Sequence, residues 1–117
     1  MSYDPTLLCE RISLSLHRNP SVSLEELSRE LRVSRRTIQN TVIAVTGKKF
    51  RDLREELLLA RFQSALVAEP AAAIKELSSE IGYGSPRSFA RAIRRACGVS
   101  PEQLRALIAA ELVGSKT

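Results

Sequence analysis

Residues 74–98 read IKELSSEIGYGSPRSFARAIRRACG and predict two short helices separated by a turn. In the first eight of these residues, Ile74, Leu77 and Ile81 recur at the spacing of one helical face. The next three residues, Gly-Tyr-Gly at positions 82–84, contain the glycines that tight turns favour. A short helix, a turn of three or four residues and a second helix together make a helix-turn-helix.

The second helix of this stretch has a recognisable beginning and end. Ser85 is a preferred N-cap residue, and Pro86 suits the first helical position, where its missing N–H would have no partner. Phe89 and Ile93 predict the inward face, and Gly98 predicts the end of the helix. With that face buried, the opposite side of the helix consists of arginines, namely Arg87, Arg91 and Arg94.

A second copy of the pattern lies about fifty residues earlier in the chain. Residues 24–47, LEELSRELRVSRRTIQNTVIAVTG, align with residues 74–98 if the later copy has one extra turn residue. The corresponding pairs include Leu27 and Leu77, Ile38 and Phe89, Val42 and Ile93, and Gly47 and Gly98. We interpret the two copies as a duplicated helix-turn-helix, because a solenoid needs three or more repeats.

The first copy has helix signals of its own. Ser23 and Glu26 have the spacing of a capping box at the start of a helix. Residues 32–33 are the predicted turn, and Ser34 is the predicted N-cap of the following helix. The inward face of that helix is predicted to consist of Ile38, Val42 and Val45.

The composition favours a small basic protein with an aliphatic core. A chain of 117 residues is long enough for one ordinary domain or two very small ones. Eighteen Lys and Arg against thirteen Asp and Glu give a net charge of +5, which favours polyanionic partners. No apolar run approaches transmembrane length, and the initial MSYDPTLLCER lacks the pattern of a secretory signal. We therefore expect a cytoplasmic protein without a membrane partner.

The positive charge is concentrated in the two repeats. Residues 34–49 contain four bases and no acid, and residues 85–98 also contain four bases and no acid. One basic helix by itself is typical of a solvated surface, but the same basic face after the same turn in both copies favours DNA. Arginine pairs with guanine, and asparagine or glutamine pairs with adenine, in the major groove.

Other kinds of chemistry find little support in the sequence. His17 is the single histidine and is interpreted as a surface or capping residue. Cys9 and Cys97 are too few for a disulfide framework and are interpreted as small buried side chains. The adjacent carboxylates at 25–26 and 55–56 diverge by about 100° on a helix, so neither pair can share a substrate. We therefore expect no enzyme activity, no cofactor and no metal site.

The two repeats together resemble the DNA-binding domain of AraC/XylS-type transcriptional regulators. The resemblance rests on SLEELSRELRVSRRTIQ at 23–39 and on IKELSSEIGYGSPRSFARAIRRACGVSPEQLR at 74–105. Its more specific signals are the glycine–aromatic pair before the second basic helix and the closing G-x-S-P at 98–101, which Arg105 follows. The resemblance spans about residues 5–110.

This resemblance implies an all-α fold of seven helices. The implied domains are a first helix-turn-helix subdomain at 1–50, a long linker helix at 51–68 and a second helix-turn-helix subdomain at 69–117. The implied function is sequence-specific binding to double-stranded DNA at promoters, with two recognition helices in successive major grooves and RNA polymerase as a protein partner. If the chain is a whole protein, it resembles the short members that bind as monomers; if it is a fragment, an effector domain lies elsewhere.

The expected DNA contacts fall into two groups. The family's base-reading positions correspond to Arg36, Gln39 and Asn40 in the first recognition helix and to Arg87 and Arg91 in the second. Residues at the helix ends are expected to contact phosphate, namely Ser34, Lys48, Lys49, Ser85, Arg94 and Arg95. The small side chains of Ser88, Ala90 and Ala92 are expected to let the second helix lie deep in the groove.

The first recognition helix departs from the family pattern. Asn40 and Ile43 stand where arginine and lysine are common, and Val42 stands in place of a core aromatic. The first half-site is therefore expected to be the weaker one and to lean toward adenine or thymine. The exposed apolar residues Ile43 and Ala44 also favour an alternative function, a helical protein-interaction module that keeps the fold and binds DNA weakly or not at all.

Overall fold

The computed structural model describes residues 4–114 of the chain and consists of seven α-helices, with no strand in that range. The seven-helix, all-α prediction is therefore confirmed. None of the helices described combines the length and the apolar character needed to cross a membrane. The helices are α1 (Pro5–Arg18), α2 (Leu24–Leu31), α3 (Arg35–Thr46), α4 (Phe50–Ala68), α5 (Ile74–Ile81), α6 (Pro86–Cys97) and α7 (Pro101–Gly114).

The chain divides into two compact units, and the division falls between Leu58 and Leu59, within α4. The first unit contains α1, α2, α3 and the first half of α4. The second unit contains the rest of α4 with α5, α6 and α7. Each unit therefore contains one complete copy of the sequence repeat.

The first unit has an aliphatic core between α1, α2 and α3. Its fully buried side chains include Ile12, Leu16, Leu27, Ile38 and Val42. The predicted helix starts are confirmed: the Ser23 Oγ accepts a hydrogen bond from the Glu26 N–H at 3.0 Å.

A partly buried hydrogen bond connects two helices of the first unit. The hydroxyl of Ser15 in α1 donates a hydrogen bond to Glu30 Oε1 in α2 at 3.0 Å. Because buried hydroxyl groups are costly without a partner, this bond fixes the position of α2 against α1.

The prediction that Val45 faces inward with Ile38 and Val42 is wrong. Val45 is 42% exposed, although its position on the helix is on the same side as these two buried residues. It lies in the last turn of α3, where an open groove lined by Leu14 and Leu57 takes the place of closely packed side chains. Helical periodicity gives the direction of a side chain but does not say whether a neighbouring element covers it.

The second unit is built around an aromatic cluster. Phe89 of α6 is fully buried and packs edge to face against Phe62 of α4, with ring centroids 5.0 Å apart. Tyr83, from the turn before α6, packs against the other side of the cluster at 5.4 Å from Phe89. Leu77 and Ile81 of α5 complete the core. The basic helix α6 is thus held by both the long helix and its own turn.

The two helix-turn-helix turns have the same backbone hydrogen bond. The Val33 N–H donates to the Ser28 carbonyl at 3.3 Å, and the Tyr83 N–H donates to the Ser78 carbonyl at 2.9 Å. The residue that ends the first helix differs between the copies. Gly82 has φ of 111°, whereas Arg32 has φ of 57° and is the one non-glycine residue with positive φ among residues 4–114. The left-handed conformation costs an L-residue about 1 kcal/mol more than glycine.

The G-x-S-P motif forms the junction between α6 and α7. Gly98 ends α6 in the left-handed conformation. Ser100 begins α7 with a capping box, because its Oγ accepts from the Gln103 N–H at 3.1 Å and its own N–H donates to Gln103 Oε1 at 2.9 Å. Pro101 occupies the first position of the helix.

Arg105 connects α7 to the loop before α5. Its Nη1 donates to the Pro70 carbonyl at 3.3 Å and to the Ala72 carbonyl, and its Nη2 donates to Glu102 Oε1 at 3.0 Å. Helix α5 follows this loop, and its N-cap residue, Ala73, has no side chain able to cap it. The guanidinium group of Arg105 therefore stabilises the loop before α5, whose first turn has no side-chain cap.

Arg105→Ala is expected to lower the free energy of unfolding by about 1–3 kcal/mol, because hydrogen bonds from a charged donor to two loop carbonyls are lost. Urea denaturation followed by circular dichroism measures the change. Glu102→Ala is the matched control: it removes the ion pair and the acidic residue in the first turn of α7 but leaves both bonds to the loop carbonyls, and it should cost less than about 1 kcal/mol. An equal loss in both variants would contradict a role for the loop carbonyls.

Candidate nucleic-acid interface

The helix predicted to be the first recognition helix is α3, which has a capped start and a polar outer face. Ser34 caps it by accepting a hydrogen bond from the Thr37 N–H at 3.0 Å, and Gly47 ends it with φ of 75°. Its buried side is formed by Ile38, Thr41 and Val42. The outer side exposes Arg36, Gln39, Asn40 and Ile43.

The helix predicted to be the second recognition helix, α6, has the same construction. Ser85 caps it by accepting from the Ser88 N–H at 3.1 Å, and Pro86 is its first residue. Its buried side is formed by Phe89, Ala92 and Ile93. The outer side exposes Arg87, Arg91, Arg94 and Arg95.

The exposed stripe is geometrically equivalent in the two helices. At 3.6 residues per turn, Arg36, Asn40 and Ile43 lie within an arc of about 60°, opposite the buried side. Arg87, Arg91 and Arg94 occupy the equivalent arc of α6. In each helix the base-reading residues predicted from the sequence are therefore together on one exposed face.

The start of each recognition helix is electrostatically suited to an anion. Neither α3 nor α6 has an acidic residue in its first turn. The first N–H groups of a helix have no intrahelical acceptor, and the helix dipole adds positive potential there. These features are the physical basis of phosphate binding at helix N-termini.

A family model described as a helix-turn-helix domain matches residues 27–107, which is more than half of the chain. The chain belongs to the AraC-type helix-turn-helix family. The matched segment includes both recognition helices and the first seven residues of α7. The resemblance inferred from the repeats and from the G-x-S-P motif is thereby confirmed.

Two solved structures have the same fold as this chain. The C-terminal domain of AraT, a response regulator from Geobacillus stearothermophilus, is 22% identical with a TM-score of 0.72, over 86% of this chain and 84% of that chain. A DNA-binding transcriptional dual regulator from Escherichia coli K-12 is 19% identical with a TM-score of 0.64, over 87% of this chain and 92% of that chain. No curated protein matches the chain in sequence.

The residues assigned to phosphate in this AraC-type domain are exposed. Lys48 forms an ion pair with Glu56 of α4, whereas Lys49 lies beside it on the surface. Both partners of the Lys48 pair are about half exposed, so exchanging Glu56 for a phosphate would cost the protein little. Arg94 and Arg95 lie in the last turn of α6.

Two expectations for α6 are wrong. Ala92 is buried, so its small side chain allows close packing inside the second unit and does not widen the approach to a groove. Cys97 is exposed, because it is the last residue of α6 and the chain turns away at Gly98. Ser88 is exposed, as expected, and Ala90 is half-buried.

The remaining single residues agree with the sequence interpretation. Cys9 is buried, and this burial raises the pKa of its thiol. His17 is exposed near the end of α1.

The sequence interpretation does not include the aromatic packing of Tyr83 and Phe62 against α6, although the glycine–aromatic pair before α6 is a signal for it.

The two thiols are expected to differ in reactivity. Cys97 should react rapidly with a disulfide reagent in the native protein, whereas Cys9 should react slowly, because little of its side chain is exposed and burial raises the pKa of its thiol. Absorbance during labelling should show one rapid equivalent in buffer and two in denaturant. Cys97→Ser should remove the rapid phase, and its persistence in that variant would contradict the assignment.

Proposed function

We propose that the protein is a sequence-specific, double-stranded DNA-binding transcription regulator that uses α3 and α6 as recognition helices. The observation that carries this proposal is the recurrence of one arrangement in both units: a Ser-capped helix with a buried side and an opposite face of arginine or amide side chains. A basic surface that contacted only solvent would give no reason for the same arrangement to occur in both units. The AraC-type family and the fold of the two solved structures support the same function.

Within this proposal, the side chains divide between base edges and phosphates. Arg36, Gln39 and Asn40 read bases in the first half-site, while Arg87 and Arg91 read them in the second. Residues at the helix ends fix the register on the duplex through phosphate, namely Ser34, Lys48, Lys49, Ser85, Arg94 and Arg95. If the two helices enter successive major grooves, protection of the DNA should recur at about one helical turn, roughly 34 Å.

The second half-site is proposed to dominate recognition. The exposed face of α6 presents three arginines, whereas the equivalent face of α3 presents one arginine, one asparagine and one isoleucine. The aromatic cluster around Phe89 also fixes the backbone of α6. A guanidinium group on a rigid helix loses little conformational entropy when it binds.

The steepness of the salt dependence tests the proposal. Fluorescence anisotropy with a random-sequence duplex at several salt concentrations should show log K falling linearly with log salt concentration. Arg94→Ala should weaken binding to all sequences and reduce that slope by about one unit, because one phosphate contact is lost. Arg11→Ala, which removes an exposed arginine from α1, is the control and should leave the slope nearly unchanged. Equal slopes in the Arg94 and Arg11 variants would contradict the phosphate assignment.

One observation favours the second candidate function, a helical protein-interaction module. Ile43 is 50% exposed on the outer face of α3. A module of this type would bind duplex DNA weakly and without steep salt dependence, so the anisotropy experiment separates the two functions.

By family resemblance we also propose that the transcription regulator binds DNA as a monomer and that its DNA-bound form has RNA polymerase as a protein partner.

A further inference from the structure

The outer faces of α3 and α6 differ at two equivalent positions. Asn40 corresponds to Arg91, and Ile43 corresponds to Arg94. Ile43 is half exposed although it is a large apolar residue, and it shares its arc of the helix with Arg36 and Asn40. Ile43 therefore offers this polar stripe an apolar contact that neither the Arg36 guanidinium nor the Asn40 amide provides.

The major groove offers only one apolar group. Among the four bases, thymine alone presents a 5-methyl group at the major-groove edge, and adenine opposite it presents the donor and acceptor that an asparagine side chain matches. Ile43 lies three residues after Asn40, a rise of about 4.5 Å along the helix. That rise is comparable with the spacing of successive base pairs, about 3.4 Å.

We propose that Ile43 contacts the 5-methyl group of a thymine in the first half-site, next to the base pair that Asn40 reads. The inference rests on the proposed function and adds the chemical identity of the first half-site, in which at least one A·T pair is selected by its methyl group. The first half-site is thus read by one guanidinium group, two amides and one apolar contact. The second half-site is read mainly by guanidinium groups.

The surroundings of Ile43 favour DNA over a protein as its partner. Its nearest neighbours on the same arc are polar or cationic, and residues 34–49 contain no acid. An apolar protein-docking face would instead continue through further apolar residues at the same angle. Val45 is also exposed but lies on the opposite side of the helix from Ile43, and the exposed Ala44, about 100° from Ile43 around the helix, carries only a methyl group.

Replacement of thymine by uracil tests the contact, because it removes the methyl group and leaves every hydrogen-bonding group of the base pair unchanged. A duplex selected from a random library with the full chain is synthesised with each thymine replaced singly by deoxyuridine. At one thymine, uracil should weaken binding about fourfold, the value expected for losing the burial of one methyl group. Ile43→Ala should bind the thymine and uracil duplexes equally at that position.

Two further variants make the result specific. Ile43→Val retains a branched apolar side chain and should keep part of the discrimination, and Val45→Ala should keep all of it. Equal affinity for uracil and thymine at every position of the selected site would overturn the proposal, and so would an undiminished uracil effect in Ile43→Ala. Salt-dependent binding without a methyl effect would reject this inference alone, whereas the absence of salt-dependent binding to any duplex would reject the proposed function as well.

Discussion

Phe89→Ala is expected to lower the free energy of unfolding of the second unit by about 3–5 kcal/mol. Phe89 is fully buried, and its ring packs edge to face against Phe62 at 5.0 Å and against Tyr83 at 5.4 Å. The substitution removes the apolar area of one large side chain together with the two ring contacts, and it leaves a cavity beneath α6.

Urea denaturation followed by circular dichroism measures this loss. Phe89→Leu is the matched control, because it keeps most of the buried volume and should cost less than half as much as alanine. A loss below about 1 kcal/mol in Phe89→Ala would mean that the cavity collapses and that the cluster does not hold α6 in place.

Arg91→Ala is expected to weaken binding to the selected DNA site by about 1–3 kcal/mol and to relax selection at one or two base pairs. Arg91 lies in the middle of the exposed face of α6, between the buried residues Phe89 and Ile93. Its backbone is therefore fixed by packing while its guanidinium group remains exposed. Asn40→Ala should weaken DNA binding less, because the neutral amide of Asn40 forms weaker hydrogen bonds than the charged guanidinium group of Arg91.

Selection of binding sites from a random library, repeated with each variant, measures the change in specificity. Arg91→Lys is the control for charge: it should preserve the salt dependence but lose the bidentate contact and hence the base preference. An unchanged motif for Arg91→Ala beside a collapsed motif for Asn40→Ala would mean that α3, and not α6, leads recognition.

The helix boundaries could be predicted because their signals are local. The serine caps and the glycine ends of α3 and α6 determine where each helix starts and stops without help from the rest of the chain. The buried residues Leu27, Ile38 and Phe89 follow from helical periodicity alone. The exposed face of each recognition helix could be predicted for the same reason.

The errors concern depth of burial and long-range contacts. Val45 and Ala92 both lie at helical positions whose exposure depends on what packs beside them, which a periodic pattern does not contain. Arg105 was recognised as part of a motif, but its role depends on carbonyls more than thirty residues away in the chain. No local signal in a sequence identifies such a partner.

The hydrogen bonds from Arg105 to the Pro70 and Ala72 carbonyls join α7 to the loop before α5, and we expect the two segments to open together. If α7 frays as far as Arg105, the entrance to α5 loses its support in the same event, because Ala73 provides no cap of its own. The start of α2, with its Ser23–Glu26 capping box, depends on no such distant contact. In amide hydrogen exchange we therefore expect α7 and the start of α5 to open as one cooperative unit, and the start of α2 to open locally.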